Sequence, residues 1–308
     1  MSDVNNRDNQ KLKSRTIPQE AFDWYDEYAH GLIDRREFMT RVSGLVALGF
    51  TMTTLTSALI PNYALAEQVS FNDPSIEATY ATFNSAKGNG ECKGYMVVPR
   101  GLKGKAPVVL VVHENRGLNP YIKDVARRLA AKGFVAFAPD ALHPLGGYPG
   151  NDDQGRAMQK SMDRRKIEED FIAAAYFLKG HELSNGKLGA VGFCFGGYIV
   201  NMLAATMPDK LNAGVPFYGT PAATELRKNV RGPLLIHFAG MDKRVNGTWP
   251  EYEKELKAIG ARYTSHIYQG VNHGFHNDST GRYSEQEAEL AWSRTLQFFE
   301  KYLVNNSG

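Results

Sequence analysis

Cysteine is scarce in this chain: Cys92 and Cys194 are the two in 308 residues. A disulfide scaffold is excluded, because at most one bridge can form. Charge of one sign is missing too. The 36 Lys and Arg against 33 Asp and Glu leave a net charge of +3. That balance excludes a disordered polyelectrolyte, and it lacks the clustered basic surplus of a dedicated nucleic-acid binder. Internal repeats and low-complexity tracts are absent. No ligand spacing marks a metal site, including any built from His273, His276 and a carboxylate, and no cofactor is expected. The length suffices to bury a sizeable core without staples.

Residues 1–66 read as an N-terminal segment outside that core. The stretch through Ser14 is polar, and Ala21 to Gly31 suits a short helix. Asp34-Arg35-Arg36-Glu37-Phe38-Met39 is followed by a charge-free run from Val42 to Ile60, then Pro61 and the small-x-small sequence Ala64-Leu65-Ala66. Paired arginines, a mildly apolar region and an A-x-A end form the pattern of an export signal. Arg35-Arg36-x-Phe38-Met39 resembles the twin-arginine motif, which implies the twin-arginine export machinery as a partner and a periplasmic destination. The alternatives are a cytoplasmic protein with an amphipathic or core helix here, or a membrane anchor. Six Thr and Ser between 43 and 57 make a poor lipid-facing surface.

From 67 to 308 the pattern alternates. Strand-length apolar runs occur at Tyr95–Val98, Val108–Val112, Val135–Ala138, Leu188–Phe193, Ala213–Tyr218, Leu234–Ala239 and Tyr263–Tyr268. Most contain Val or Ile and are continuously apolar, as strands buried on both faces are. Helical stripes fall at Ile122–Lys132, Arg165–Lys179, Tyr252–Ile259 and Ser284–Leu303. The alternation predicts an α/β domain, with a mostly parallel central sheet and helices on both faces. His143 to Asp153, rich in Gly and Pro, reads as a loop or lid.

The sharpest motif is Gly192-Phe193-Cys194-Phe195-Gly196-Gly197, at the junction of an apolar strand and a helix. It has the form of a nucleophile elbow, G-x-Nuc-x-G, with Cys as the nucleophile. The sharp turn requires residues without bulk two before and two after the nucleophile, and Gly192 and Gly196 meet that demand. The helix N-terminus favours thiolate over thiol. A buried packing cysteine is the bland alternative; a phosphate loop is excluded by the missing Walker and G-x-G-x-x-G spacings.

A nucleophile needs a base and an orienter. Asp242 follows the strand Leu234–Ala239, and His273 follows Tyr263–Tyr268, so both belong at the carboxyl edge of the sheet, where ligands bind in open α/β folds. His237 and His266 lie within strands and read as packed residues. His276 lies outside the strand-end turn. Asp140 precedes the nucleophile, which breaks the expected chain order. Tyr148, Tyr218 and Trp249 fall near strand ends and suit either pocket lining or packing.

Together with Gly240-Met241-Asp242, His273-Gly274-Phe275, Tyr283 and Ala291-Trp292-x-Arg294, the elbow resembles the dienelactone hydrolase family of the α/β-hydrolase superfamily, over roughly residues 80–303. Val112-His113-Glu114-Asn115-Arg116-Gly117 resembles a family-specific element. The resemblance implies that Glu114 interacts with the resting thiol and helps convert it to the attacking thiolate. It also implies an oxyanion hole built from the backbone N–H groups of Asn115 and Phe195. The expected activity is cysteine-dependent hydrolysis of a small carboxylic ester or lactone through a thioester, with Cys194, Asp242 and His273 as the triad. Alternatives on the same fold are a thioesterase, an acyltransferase or a non-catalytic binding protein. One departure stands out: family members with an established substrate carry an arginine four residues after the histidine, and here that position is Asn277. Arg282 and Arg156 are the candidates to replace it.

Overall fold

The structure is a computed structural model, and it describes residues 17–29, 32–59, 62–63 and 66–305. The chain divides into two compact units, Met1–Pro61 and Asn62–Gly308.

In the first unit, helices α1 (Gln19–Ala29), α2 (Arg35–Gly44) and α3 (Met52–Leu59) are short. Asp34 caps α2 by accepting the Glu37 N–H at 2.8 Å, which places exposed Arg35 and Arg36 in its first turn. Tyr28 stacks on Phe38 at 4.9 Å, and with Tyr25, Val42, Leu45, Leu55 and Leu59 they form a small apolar cluster. The run beginning at Val42 is not one helix. It passes through a 3-10 turn, Leu45–Leu48, and breaks at Gly49, whose φ is 92°. Among the described residues no helix is long and apolar enough to cross a membrane. The polar opening through Ser14, together with Gly31, Ile60, Pro61, Ala64 and Leu65, lies outside the described residues.

The second unit is built on one eight-stranded sheet of order β1-β2-β4-β3-β5-β6-β7-β8. The strands are β1 (Ile76–Ser85), β2 (Gly90–Pro99), β3 (Ala106–Val112), β4 (Val135–Pro139), β5 (Ser184–Phe193), β6 (Ala213–Phe217), β7 (Leu234–Ala239) and β8 (Tyr263–Tyr268). From β4 to β8 every pairing is parallel, while β1 and β2 form an antiparallel edge. All the strands expected from apolar runs are present. No such run marks β1, Ile-Glu-Ala-Thr-Tyr-Ala-Thr-Phe-Asn-Ser. Its side chains are mostly exposed or half-buried, so there is little continuous hydrophobicity to detect.

The helices are α4 (Pro120–Ala130), α5 (Asp152–Ser161), α6 (Arg164–Lys179), α7 (Phe195–Thr206), α8 (Thr224–Arg227), α9 (Lys243–Asn246), α10 (Trp249–Ala258) and α11 (Glu285–Phe299). The stripe Ile167, Phe171, Ala174, Ala175 and Leu178 is buried, which holds α6 on the sheet. Phe171 of α6 meets Phe195 of α7, whereas Tyr121 of α4 and Trp292 of α11 share His276, so helices cover both faces. Two expectations need correction. The segment His143 to Asp153 is not all loop: a 3-10 turn covers His143–Leu145, and α5 begins at Asp152, where Asn151 caps it by accepting the Gln154 N–H. The strand expected to reach Tyr218 stops at Phe217, because Tyr218 has φ 36°.

Candidate active site

The junction of β5 and α7 is shaped by steric exclusion. Cys194 has φ 57° and ψ −112°, a conformation L residues seldom adopt. Its N–H donates to Phe217 O at 3.1 Å and its carbonyl accepts the Tyr198 N–H at 3.2 Å, so the strained residue is held on both sides. A Cβ on Gly192 would lie 2.2 Å from Gly196 O, and one on Gly196 would lie 2.2 Å from Val112 O. A Cβ on Gly197 would meet Phe217 O at 2.5 Å. The three glycines are therefore where backbone crosses backbone, with no flexible side chain able to yield. Cys194 keeps 8% of its surface exposed, so the residue is not sealed off.

Two neighbouring strand ends supply the acid and the imidazole. After β7 the Gly240 N–H donates to Tyr268 O at 2.7 Å and the Met241 N–H to Val271 O at 3.0 Å, tying this turn to the one after β8. Asp242 and His273 thus meet across 31 residues of sequence, with His273 Nδ1 2.6 Å from Asp242 Oδ2. The other carboxylate oxygen accepts the Val245 N–H at 3.0 Å and caps α9. Because an ionised carboxylate only accepts, Nδ1 carries the proton and Nε2 is left as the basic nitrogen. Tyr218, whose ring centre lies 4.8 Å from that imidazole, also feels the charge of Cys194.

Beyond β3, Glu114 is buried, and burial pushes its carboxyl above the usual range. The guanidiniums of Arg116 and Arg282 pull it down, while Cys194 pushes it up. Cys194 and Glu114 are therefore within electrostatic reach of each other. Asn277 Nδ2 donates to Glu114 Oε2 at 3.2 Å. The Asn277 amide cannot flip, because its Oδ1 accepts both the Ser279 N–H at 3.1 Å and the Ser279 hydroxyl at 2.6 Å. His113 is fixed as well. The Ala141 N–H donates to its Nε2 at 3.1 Å, so Nδ1 carries the proton and donates to Glu114 O at 2.5 Å.

Other residues raised by the sequence lie elsewhere. His237 is a packed residue between the Thr295 and Tyr268 hydroxyls, and His276 shares a hydrogen bond with the Tyr121 hydroxyl. Burial holds both imidazoles well below the usual pKa. Asp140 accepts the backbone N–H groups of Leu118, Leu142 and Tyr148, an organiser of loops. Trp249 packs against Phe238, Tyr252 and Tyr263. Tyr148 bonds Asp152 through its hydroxyl at 2.7 Å. Cys92 is free, not bridged, and burial beside Asp170 pushes its thiol up to about 12. Neither the Ala141–His113 bond nor the Asn277–Glu114 bond has a local sequence signal, because the partners lie 28 and 163 residues apart.

A family model for the dienelactone hydrolase family matches residues 92–303, more than half of the chain. The chain belongs to the dienelactone hydrolase family. As a member it is a hydrolase of the ester and lactone class, with the α/β-hydrolase fold. The "Putative hydrolase fragment YghX" of Escherichia coli K12 is 58% identical over 113 residues, which are 37% of this chain and 97% of that protein. The "Putative carboxymethylenebutenolidase" of Aquifex aeolicus is 34% identical over 70% of this chain and 96% of its own length. Among solved structures, the "Putative Dienelactone Hydrolase" of Klebsiella pneumoniae superposes with a TM-score of 0.64 at 25% identity, over 74% of this chain and 99% of that one. A second family model, YqhI-like, matches residues 9–46.

Proposed function

We propose that this dienelactone hydrolase relative is a cysteine-dependent hydrolase of small carboxylic esters or lactones, working through a thioester acyl-enzyme. The observation that carries the reading is the strained Cys194 at the start of α7, at the same sheet edge as the His273–Asp242 pair. The Cys194 thiolate attacks the carbonyl carbon. The C–O bond breaks, and His273 relays to the leaving oxygen, through Nε2, the proton that the thiol gives up to Glu114, which leaves the imidazole neutral again. Water, deprotonated by His273, then attacks the thioester and expels the thiolate. Asp242 holds the imidazole in the tautomer that keeps Nε2 basic.

Two backbone N–H groups receive the developing oxyanion, those of Phe195 and Asn115. The first belongs to the opening residue of α7 and needs no partner within the helix. The second is aimed by its neighbour: His113 holds the Glu114 carbonyl, and in a planar trans peptide the Asn115 N–H points the opposite way. Glu114 accepts the thiol proton, a role its raised affinity for protons supports. Asn277, occupied with Glu114 and Ser279, does not serve as an anion site. Of the two arginines that could take that part, Arg282 acts on Glu114 and sits against the Gly274 turn, whereas Arg156 is paired with Asp153 at 3.0 Å. Arg282 is accordingly the group toward which a substrate's negative charge is drawn.

Turnover of p-nitrophenyl acetate with and without iodoacetamide tests the chemistry. The high pKa of Cys92 directs alkylation to Cys194, and activity is expected to vanish with it. Full activity in Cys194→Ala overturns the assignment, and added alcohol or thiol acceptors that divert the acyl group identify a transferase instead. We also propose that the exposed Arg35-Arg36 pair directs twin-arginine export. Fractionation of cells carrying Arg35→Lys with Arg36→Lys tests it: the enzyme is expected to stay in the cytoplasm.

A further inference from the structure

The turn from Glu114 to Asn119 is fixed by a residue well before the family-matched region. Tyr63 places its hydroxyl 2.9 Å from both oxygens of Asp152 and accepts Asn119 Nδ2 at 2.8 Å. One hydroxyl can donate once and accept once here, and both capacities are used. Asp152 in turn receives Arg116 Nη1 at 2.8 Å and the Tyr148 hydroxyl at 2.7 Å. The Arg116 side chain is 3% exposed and that of Asp152 12%. A Cβ at Gly155 would lie 2.3 Å from Arg116 O, so α5 presses directly on the turn whose first residues are Glu114 and Asn115. Asn119 at the other end of the turn caps α4 by accepting the Ile122 N–H. Tyr63 therefore joins the first turn of α5 to the cap of α4 and closes the turn from outside.

The chain around Tyr63 is tied down rather than draped. The Asn62 N–H donates to Ser279 O at 2.5 Å. The Gln68 and Val69 N–H groups both donate to Asp124, at 3.2 and 2.9 Å. Gln68 Nε2 reaches Asp278 at 2.7 Å, and Arg127 holds Glu67 at 2.9 Å. Burial and the charge of Asp152 push the Tyr63 hydroxyl well above its usual pKa, so it remains a donor at any working pH. Tyr63 falls within the N-terminal segment, residues 1–66, that reads as an export signal, and in the structure it belongs to the same compact unit as the eight-stranded sheet.

We propose that Tyr63 is a positioning residue of the active site: through Asp152 and Asn119 it sets the turn that carries Glu114 and Asn115, and the working enzyme retains it. The inference rests on the proposed roles of Glu114 and Asn115. Export is compatible with it, because the twin-arginine route carries folded cargo in which these bonds are already made.

The test is kinetic and uses the full chain. Tyr63→Phe removes one oxygen atom and is expected to lower kcat about tenfold with KM changed less than about twofold, the loss of a charged hydrogen bond that orders reacting groups. Tyr263→Phe removes a similar phenol–carboxylate bond, to Glu253 at 3.0 Å, and is expected to leave both constants unchanged. In an Asp152→Asn background the Tyr63→Phe effect should shrink, since the bond to a carboxylate becomes a weaker one to a neutral amide and only the Asn119 contact is unchanged. If Asp152→Asn does not fold, Tyr148→Phe serves as the second background, and a more than additive loss is expected there.

An unchanged kcat in Tyr63→Phe, or the same loss in every background, overturns the proposal. So does fully active enzyme from cells whose N-terminus is Glu67. Cys194→Ala measured alongside separates the two readings. If it is inactive while Tyr63→Phe is normal, only the positioning role fails; if it is active, the nucleophile assignment fails.

Discussion

Two turns frame the site, and they are built on opposite principles. The elbow from Gly192 to Gly197 is specified by what cannot fit: three glycines face main-chain atoms at distances no Cβ tolerates. The turn from His113 to Asn119 is specified by what reaches it, since its anchors come from Tyr63, Asp152 and Asn277. The first is encoded within six consecutive residues, whereas the second depends on partners up to 163 positions apart. Substitutions should therefore act on fold and activity together in the elbow, and should separate them in the other turn.

The largest effect expected is that of Gly196→Ala. The added methyl meets the Val112 and His113 carbonyls, so both the thermal midpoint and the esterase activity collapse, with a destabilisation of about 3 kcal/mol or more from overpacking against backbone. A stable, active variant would dissolve the contrast between the two turns.

Glu114→Gln should do the opposite to stability while still harming catalysis. The folded protein binds the Glu114 proton more tightly than the unfolded chain does, so ionising the buried carboxyl costs stability that grows as pH rises above the ordinary carboxylate range. The variant should melt higher than the parent at pH 8, with the gap closing toward about pH 4. Its kcat/KM should fall about 10- to 100-fold, as expected when a group that moves a proton is lost. Parallel melting and rate profiles at several pH values check both halves.

A smaller effect is expected of Asn277→Ala. Removing the Nδ2 donor withdraws support from the ionised form of Glu114, so its pKa climbs further and the acidic limb of the kcat/KM profile moves to higher pH. An acidic limb that stays in place means that this amide does not act through Glu114.

The smallest effect concerns packing remote from both turns. His237 and His276 stay neutral in the fold, whereas an unfolded chain protonates them near pH 6.5. Their contribution to stability is whole above that pH and declines as the solution is acidified, so the denaturation midpoint should fall gradually from pH 7 to pH 5.

The same contrast explains what could be read in advance. Val108–Val112 and Leu188–Phe193 announce themselves as buried strands by unbroken hydrophobicity, and Cys194 and Asp242 each follow a buried strand, whereas His273 follows Tyr-Thr-Ser-His-Ile-Tyr, which is mostly half-buried or exposed. β1 escapes because an antiparallel edge leaves much of its length exposed. α5 escapes because it opens on Asp-Asp-Gln-Gly after a run of glycines, with no apolar stripe. Asn277 was legible only as a missing arginine; its bond to Glu114 appears once β3 and the turn after β8 lie side by side. Tyr63, read as part of a leader, has no neighbour in sequence that hints at Asp152. Side-chain anchors assembled over long separations leave no local pattern.

The proposed thioester offers the most direct measurement. Intact-mass analysis of His273→Ala after rapid mixing with p-nitrophenyl acetate, followed by peptide mapping, should find one acetyl group per chain, held on Cys194 and released by hydroxylamine. Acetylation at another residue, or steady hydrolysis by Cys194→Ala under the same conditions, contradicts the account.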